Sequence, residues 1–312
     1  MKKIYLIQTF IAICFTTLAL GQNPLSQGEH FADINGIKMH YYVSGKGPVC
    51  LFPTPGWGPS INYLKNSLMP LEKYFTMVYY DTRMSGQSTG PEDPTQYTSK
   101  DFMNDMDSLR VHLKQEKVWA AGHSAGGFQV LNYGIHHNDR LNGIIAFSPM
   151  VCSDSLYKEE ATKMVMKRQG KPYFEKATNV LFGKDTTNYS MSELMEIILP
   201  LYFHDEEKIA DFAKLGDPQL SDKAFKYTQA SGFGTECILT ELTKIKVPTL
   251  IVVGDDDFIC DKVSQADRIH QIITDSDEIV IKNAGHFSWI EQPEQFFADT
   301  EKWLKKQKLT NQ

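Results

Sequence analysis

Residues 122–126 read Gly122-His123-Ser124-Ala125-Gly126, and the pentapeptide joins two different kinds of chain. Before it runs Val118-Trp119-Ala120-Ala121, short and apolar as a buried strand is; after it, Gly127 to His137 has the length and composition of a helix. A serine at the apex of such a reversal is held in a strained backbone conformation. It fits only if the residues two before and two after have almost no side chain. Gly122 and Gly126 meet that demand.

The rest of the chain repeats the same alternation. Phe31 to Val43 alternates around Asn35-Gly36, a dipeptide suited to a tight turn between antiparallel strands. Val49 to Phe52 and Met77 to Tyr80 are short apolar runs of the kind found in buried parallel strands, with room for one helix between them. Thr98 and Asp101 form a capping box ahead of a helix whose apolar face carries Phe102, Met106, Leu109 and Leu113. Gly143 to Phe147 is the next strand. Thr249 to Val253 and Glu278 to Lys282 are two more, with a helix near Lys262 to Ile273 between them and a last helix from Pro293 to Lys306.

Between Phe147 and Pro248 the alternation stops, and a structureless loop of that length is improbable in a compact domain. Helices are expected there at Glu159 to Arg168, Ser192 to Leu199, Glu206 to Leu215 and Asp222 to Ala230. The fold class is therefore α/β: a mostly parallel, doubly wound sheet with an N-terminal antiparallel hairpin and an inserted helical unit. The expected division is a signal peptide at 1–21, a first core part at 22–148, the helical insertion at 149–247 and a second core part at 248–312.

Lys2 and Lys3 precede the apolar stretch Ile4 to Leu20, and Ala19-Leu20-Gly21 has the small-residue spacing of a cleavage site, so export is expected. A retained anchor is the rival reading, since the apolar run approaches the length that spans a bilayer. Lipidation at Cys14, inside that run, is the weaker alternative. Removing 1–21 takes away two lysines and no acids, which moves the formal charge from −6 to −8. An acidic chain without a basic run is a poor match for nucleic acid or an anionic membrane, and no stable membrane association is expected after cleavage. Four cysteines remain, Cys50, Cys152, Cys237 and Cys260, without a C-x-x-C pair. One disulfide between two of them and four buried thiols are both open readings.

A serine hydroxyl is a weak nucleophile at neutral pH and needs a base within reach and a third group to orient that base. Both are available downstream at strand ends, where ligands of such sheets bind. Gly254-Asp255-Asp256-Asp257 follows one late strand and Asn283-Ala284-Gly285-His286 follows the next. Ser124, one of the three aspartates and His286 thus form a candidate set for acyl transfer, which requires no metal or organic cofactor. The N–H of Ala125, immediately after the serine, is a candidate donor to a developing oxyanion. His123 reads as a packing neighbour, and His136 and His137 as helix-end groups.

With these residues in hand, the chain resembles the α/β-hydrolase family, in particular its proline iminopeptidase-like and lid-bearing serine esterase members. The resemblance implies that the acid is Asp257, in a G-x-x-D turn beginning at Gly254, with Asp255 and Asp256 as solvated turn acids or capping groups. It implies a second oxyanion donor after the Val49 strand. Relatives carry H-G-x-P there, whereas this chain has Pro53-Thr54-Pro55-Gly56-Trp57, which assigns the donor to the Trp57 N–H. Asp81-Thr82-Arg83-Met84-Ser85-Gly86-Gln87-Ser88 resembles the family's D-x-R-G-x-G-x-S turn with Met84 in place of the first glycine; its expected role is structural, with substrate contact by Arg83 as the alternative. The inserted helices are expected to form a lid, with Tyr173, Phe174, Leu199, Tyr202 and Phe203 as an apolar ceiling. Glu193, Glu196, Glu206, Glu207 and Glu236 are the acids available to recognise a free amino terminus. The implied substrate is a small ester, amide or short peptide. Release of N-terminal proline is the runner-up within that class, and a non-catalytic hydrolase-like binding protein is the alternative outside it.

Overall fold

The computed structural model describes residues 23–309, so the expected export segment lies outside the described residues. Eight strands form one sheet: β1 Gly28–Ile34, β2 Ile37–Gly45, β3 Val49–Pro53, β4 Thr76–Tyr80, β5 Val118–His123, β6 Leu141–Phe147, β7 Thr249–Gly254 and β8 Ser276–Ile281. Their order across the sheet is β1-β2-β4-β3-β5-β6-β7-β8. β1 pairs antiparallel with β2 and β2 antiparallel with β4, while all other neighbours are parallel. The hairpin turns at Asn35 and Gly36, both at positive φ, and Ile34 pairs with Ile37 across it.

Parallel strands covered on both faces need no polar alternation, and the reason is visible residue by residue. Leu51, Ala120, Ile144, Ile251 and Val253 enter one apolar cluster. Their chain neighbours Phe52, Trp119, Ala121, Ile145, Leu250 and Val252 enter another on the opposite face. Helices α1 (Asn62–Lys65), α2 (Ser99–His112) and α3 (Ala125–His137) follow the first strands. α2 and α3 send Met106, Leu109, Phe128 and Leu131 into the first cluster. The capping box that starts α2 is present, with Thr98 and Asp101 each bonded to the other's backbone N–H.

Between β6 and β7 come α4 Ser155–Met166, α5 Phe174–Leu181, α6 Met191–Ile198, α7 Ile209–Ala213 and α8 Asp222–Ser231. α5 is absent from the sequence-based expectation. The two limbs of the insertion meet at a neck, where a disulfide joins Cys152 to Cys237 and the Ile238 N–H donates to Val151 O at 3.0 Å. Gln265 braces the neck by accepting from the Val151 N–H at 2.8 Å and donating to Cys152 O at 2.8 Å. Cys50 and Cys260 are free and buried. After β7 the expected single helix is a π-turn at Lys262–Ala266 followed by α9 Asp267–Ile272. The chain then continues through α10 Ser288–Glu291 and α11 Pro293–Lys306, which buries Phe296, Trp303 and Leu304 on the second face. Among the described residues no helix is long and apolar enough to cross a membrane.

The turn after β4 is held from its centre by the buried His40–Asp81 pair, with exposed Glu29 at its outer end. His40 donates from Nδ1 to Asp81 Oδ2 at 2.6 Å and from Nε2 to Glu29. Asp81 also accepts the Ile61 and Gln87 N–H groups at 2.8 and 2.9 Å. Burial alone would lower the His40 pKa, but the bonds and charges of Asp81 and Glu29 prevail and raise it. Arg83 is buried against Asp105, with two 2.8 Å hydrogen bonds, which matches the structural role expected for this turn.

A raised imidazole pKa means that His40 binds its proton more tightly in the folded chain than in the unfolded one. Its stabilisation is then complete below the unfolded value near 6.5 and fades as pH rises through the folded value. Chemical denaturation of parent and His40→Gln between about pH 5.5 and 9 is expected to give a stability gap that is widest at the acid end and narrows upward. A gap independent of pH would rule out a charged His40.

Candidate active site

Ser124 sits at φ 58° and ψ −124°, the only residue between the end of β5 and the start of α3. The reversal brings Gly122 against Gly126 so closely that a Cβ on Gly122 would collide with the Gly126 carbonyl, and a Cβ on Gly126 would lie 3.2 Å from Pro53 O. Steric closeness thus requires glycine at 122 and leaves a side chain at 126 little room. The same packing sets the turn after β3 beside the serine. Gln129 on α3 donates to Thr54 O at 3.0 Å, and the Thr54 hydroxyl meets that of Thr82 at 2.8 Å. Further along this turn, Gly58 O accepts the Ser221 N–H at 3.1 Å and the Ser60 N–H donates to Pro218 O at 2.7 Å, tying it to the insertion near α8. Among the described residues no hydrogen bond engages the N–H of Ala125 or of Trp57. Ala125 also opens the first turn of α3, where the helix dipole favours negative charge.

The three aspartates after β7 go to three different places. Asp255 turns toward Lys282, with 3.6 Å between charges. Asp256 binds the insertion through Lys167 at 3.1 Å, Arg168 at 3.2 Å and His204 at 3.0 Å. Asp257 is fully buried and accepts from His286 Nδ1 at 2.8 Å through Oδ2, and from the Ile259 and Cys260 N–H groups at 3.0 Å through Oδ1. Burial alone would raise its pKa; the charge and hydrogen bond of His286, with the Cys260 N–H, outweigh that and lower it. The carboxylate therefore stays ionised. In the neutral tautomer that donates from Nδ1 to Asp257, His286 has Nε2 left as an acceptor.

Three neighbours that motif reading did not single out as site groups shape this arrangement. His123 lies under the imidazole, ring centroids 4.4 Å apart; it accepts from Tyr63 at Nδ1 and donates from Nε2 to His286 O at 3.1 Å. Burial, then the nearby His286 charge, lowers its pKa, so it stays neutral. Cys260 has its thiol beside the Ser124 hydroxyl; burial foremost, with Asp257 and Asp261, raises its pKa and keeps it protonated. Glu291 accepts from the N–H groups of His204 and Asp205 at 2.7 and 2.9 Å and of Gly285 at 2.6 Å. With the bond from the His286 N–H to Tyr202 O at 2.8 Å, it clamps the histidine loop to the insertion. Burial pushes its pKa up to about 7 despite those three donors.

Two cavities open on Ser124. The smaller, about 450 Å³, is bordered by His286, His123, Tyr63, Phe287, Phe212 and Glu196, among others. The larger, about 640 Å³, is bordered by Ala125, Met150, Val180, Met191, Phe225 and Phe233, among others. Trp57, Ser124, Met195, Tyr202 and Ile259 border both. Of the expected apolar ceiling, Leu199 and Tyr202 reach a cavity. Tyr173 and Phe174 instead pack with Val165, Ala177 and Leu201, and Phe203 stacks on Phe287. Of the five expected acids only Glu196 borders either cavity, joined by Asp217, which sequence reading passed over. Glu193 caps α6, Glu206 pairs with Lys171 and Glu236 accepts from Ser99. Arg83 borders neither.

Comparison with known proteins agrees with this geometry. Residues 54–293 match the model of the α/β-hydrolase fold family. A proline iminopeptidase from Lactobacillus acidophilus is 25% identical over 284 residues, covering 86% of this chain and 95% of the relative. An α/β fold family hydrolase from Bacillus anthracis superposes with a TM-score of 0.72 at 18% identity, covering 89% and 98% of the two chains. A proline iminopeptidase from Mycobacterium smegmatis superposes with a TM-score of 0.71 at 16% identity, over 90% and 98%. The chain is a hydrolase that belongs to the α/β-hydrolase family, with proline iminopeptidases among the relatives it resembles.

Proposed function

We propose that this hydrolase cleaves an ester or amide bond through an acyl-enzyme, with Ser124 as nucleophile, His286 as general base and then acid, and Asp257 holding the imidazole. The observation that carries the reading is the 2.8 Å bond from His286 to buried Asp257, in a cavity wall that His286 shares with Ser124. His286 Nε2 takes the serine proton as Oγ bonds to the carbonyl carbon. The carbonyl π electrons move onto oxygen, which accepts from the N–H groups of Ala125 and Trp57. As the intermediate collapses, the bond to the departing oxygen or nitrogen breaks and His286 gives it the proton. Water then repeats the sequence, with its proton passing to His286 and on to Ser124 Oγ as the acyl bond breaks.

In this reading the inserted helices serve as the lid, and the leader residues 1–21 direct export. The Cys152–Cys237 disulfide supports an oxidising compartment. Removal of N-terminal proline is the second reading, favoured by similarity to proline iminopeptidases at 25% identity. A binding protein without catalysis is disfavoured, because it would have no use for a strained serine on the same cavity wall as a buried His286–Asp257 pair.

Ser124→Ala is expected to abolish fluorophosphonate labelling and p-nitrophenyl ester hydrolysis while leaving the melting temperature near that of the parent. Parental turnover by this variant would sink the nucleophile assignment. Asp257→Asn is expected to lower kcat by roughly 10⁴-fold through loss of the correct tautomer. Asp256→Asn, which severs only contacts to the insertion, should retain most of it, and equal losses would contradict the distinction between the two acids. Glu291→Gln leaves one of the N–H groups from Gly285, His204 and Asp205 without a carboxylate acceptor. Steady-state kinetics should show kcat reduced about tenfold to a hundredfold with a smaller change in KM; an unaltered kcat would mean that the clamp does not position His286.

A further inference from the structure

We propose that the larger, uncharged cavity holds the acyl arm of the substrate and the smaller one its departing arm, so that the enzyme acts on neutral esters of apolar carboxylic acids. This rests on the reading of Ser124 as nucleophile and His286 as its proton carrier. The departing oxygen must receive the proton that His286 took from the serine, so it has to leave on the histidine side. His286 borders the smaller cavity and not the larger. The acyl group stays on Ser124 Oγ while its carbonyl oxygen faces the Ala125 N–H, and Ala125 borders the larger cavity and not the smaller.

Charge then restricts what the acyl arm carries. No lysine or arginine borders either cavity, and the carboxylates of Glu196 and Asp217 both belong to the smaller one. An acyl arm bearing a carboxylate or an ammonium group would enter the larger cavity without an oppositely charged partner, losing hydration that Thr228, Gln229 and Thr235, all neutral, repay only in part. A prolyl substrate carries its free amine on the acyl arm, on the side away from Glu196 and Asp217. Met150, Met191 and Met195 line the larger cavity, and their unbranched side chains accommodate aliphatic or aryl groups of varied shape. Its volume of about 640 Å³ lies in the range of small-molecule sites.

The test is a series of p-nitrophenyl acetate, butyrate and octanoate, with the octanoate methyl ester and prolyl p-nitroanilide alongside. Each is assayed on parent, Val180→Trp in the larger cavity and Ala213→Trp in the smaller, with Leu181→Trp in reserve should Val180→Trp fail to fold. The octanoate-to-acetate ratio of kcat/KM is expected to fall at least about tenfold in Val180→Trp. Ala213→Trp should leave that ratio in place and lower the ratio of the p-nitrophenyl to the methyl ester of octanoate. A chain-length ratio that responds to Ala213→Trp alone, or prolyl p-nitroanilide turned over faster than every neutral ester, overturns the assignment. Fluorophosphonate labelling of the parent separates the two levels. Labelling of Ser124 with the wrong selectivity overturns this proposal alone, whereas absence of labelling overturns the nucleophile reading and this one with it.

Discussion

The contact between Gly122 and Gly126 is the constraint on which the rest of the site depends. With no Cβ on either, the chain reverses within one residue and leaves Ser124 at positive φ above the end of the sheet. That reversal starts α3 immediately after the serine, so a helix N-terminus and an unengaged N–H arrive together. It also lets the turn after β3 pack against Gly126, which brings Trp57 to the wall of both cavities. A single methyl at Gly122 would press on the backbone of Gly126 and Gly127 and so displace the start of α3, against which the turn after β3 packs.

Sheet and insertion divide the remaining work. β7 and β8 end side by side, so the turns that follow them bring Asp257 and His286 to hydrogen-bond distance. The carboxylate tolerates complete burial because both of its oxygens are occupied, one by the imidazole and one by two backbone N–H groups. The insertion supplies most of the surface that a bound molecule would meet, through residues such as Met195, Leu199 and Phe225. It is fastened to the chemistry at Asp256 beside the acid, at Glu291 beside the histidine, and at Gly58 and Ser60 on the turn that carries Trp57.

The sheet was legible because its strands are apolar on both faces and are punctuated by turn residues, and the Asn35-Gly36 hairpin and the Thr98 cap have local causes. α5 was not, since its first residue follows Tyr173, which makes no side-chain cap, and nothing in the sequence marks a start. α4 begins earlier than its apolar pattern suggested, because Asp154 caps it by accepting the Tyr157 N–H. Ser124, Asp257 and His286 stand out as motif positions at strand ends. Glu291, Cys260 and Asp217 do not, because each matters through groups that are distant in sequence or through a cavity that exists only in the folded chain. The disulfide was undecidable for the same reason: Cys152 and Cys237 are 85 residues apart, and only the return of the chain to β7 makes them neighbours.

That disulfide gives the neck a further property. With Cys152 and Cys237 bonded and Gln265 bracing the entering limb, both ends of the inserted stretch are fixed at one point on the rim of the sheet. Residues gained, lost or exchanged between those cysteines leave the spacing of β6 and β7 untouched, so the cavity walls away from the fastenings at Asp256, Glu291 and Tyr202 are free to diverge while the aspartate, histidine and serine turns keep their places. The molecule is in this sense two designs in series, a fixed reaction frame and an exchangeable cartridge, separated by a single covalent cross-link.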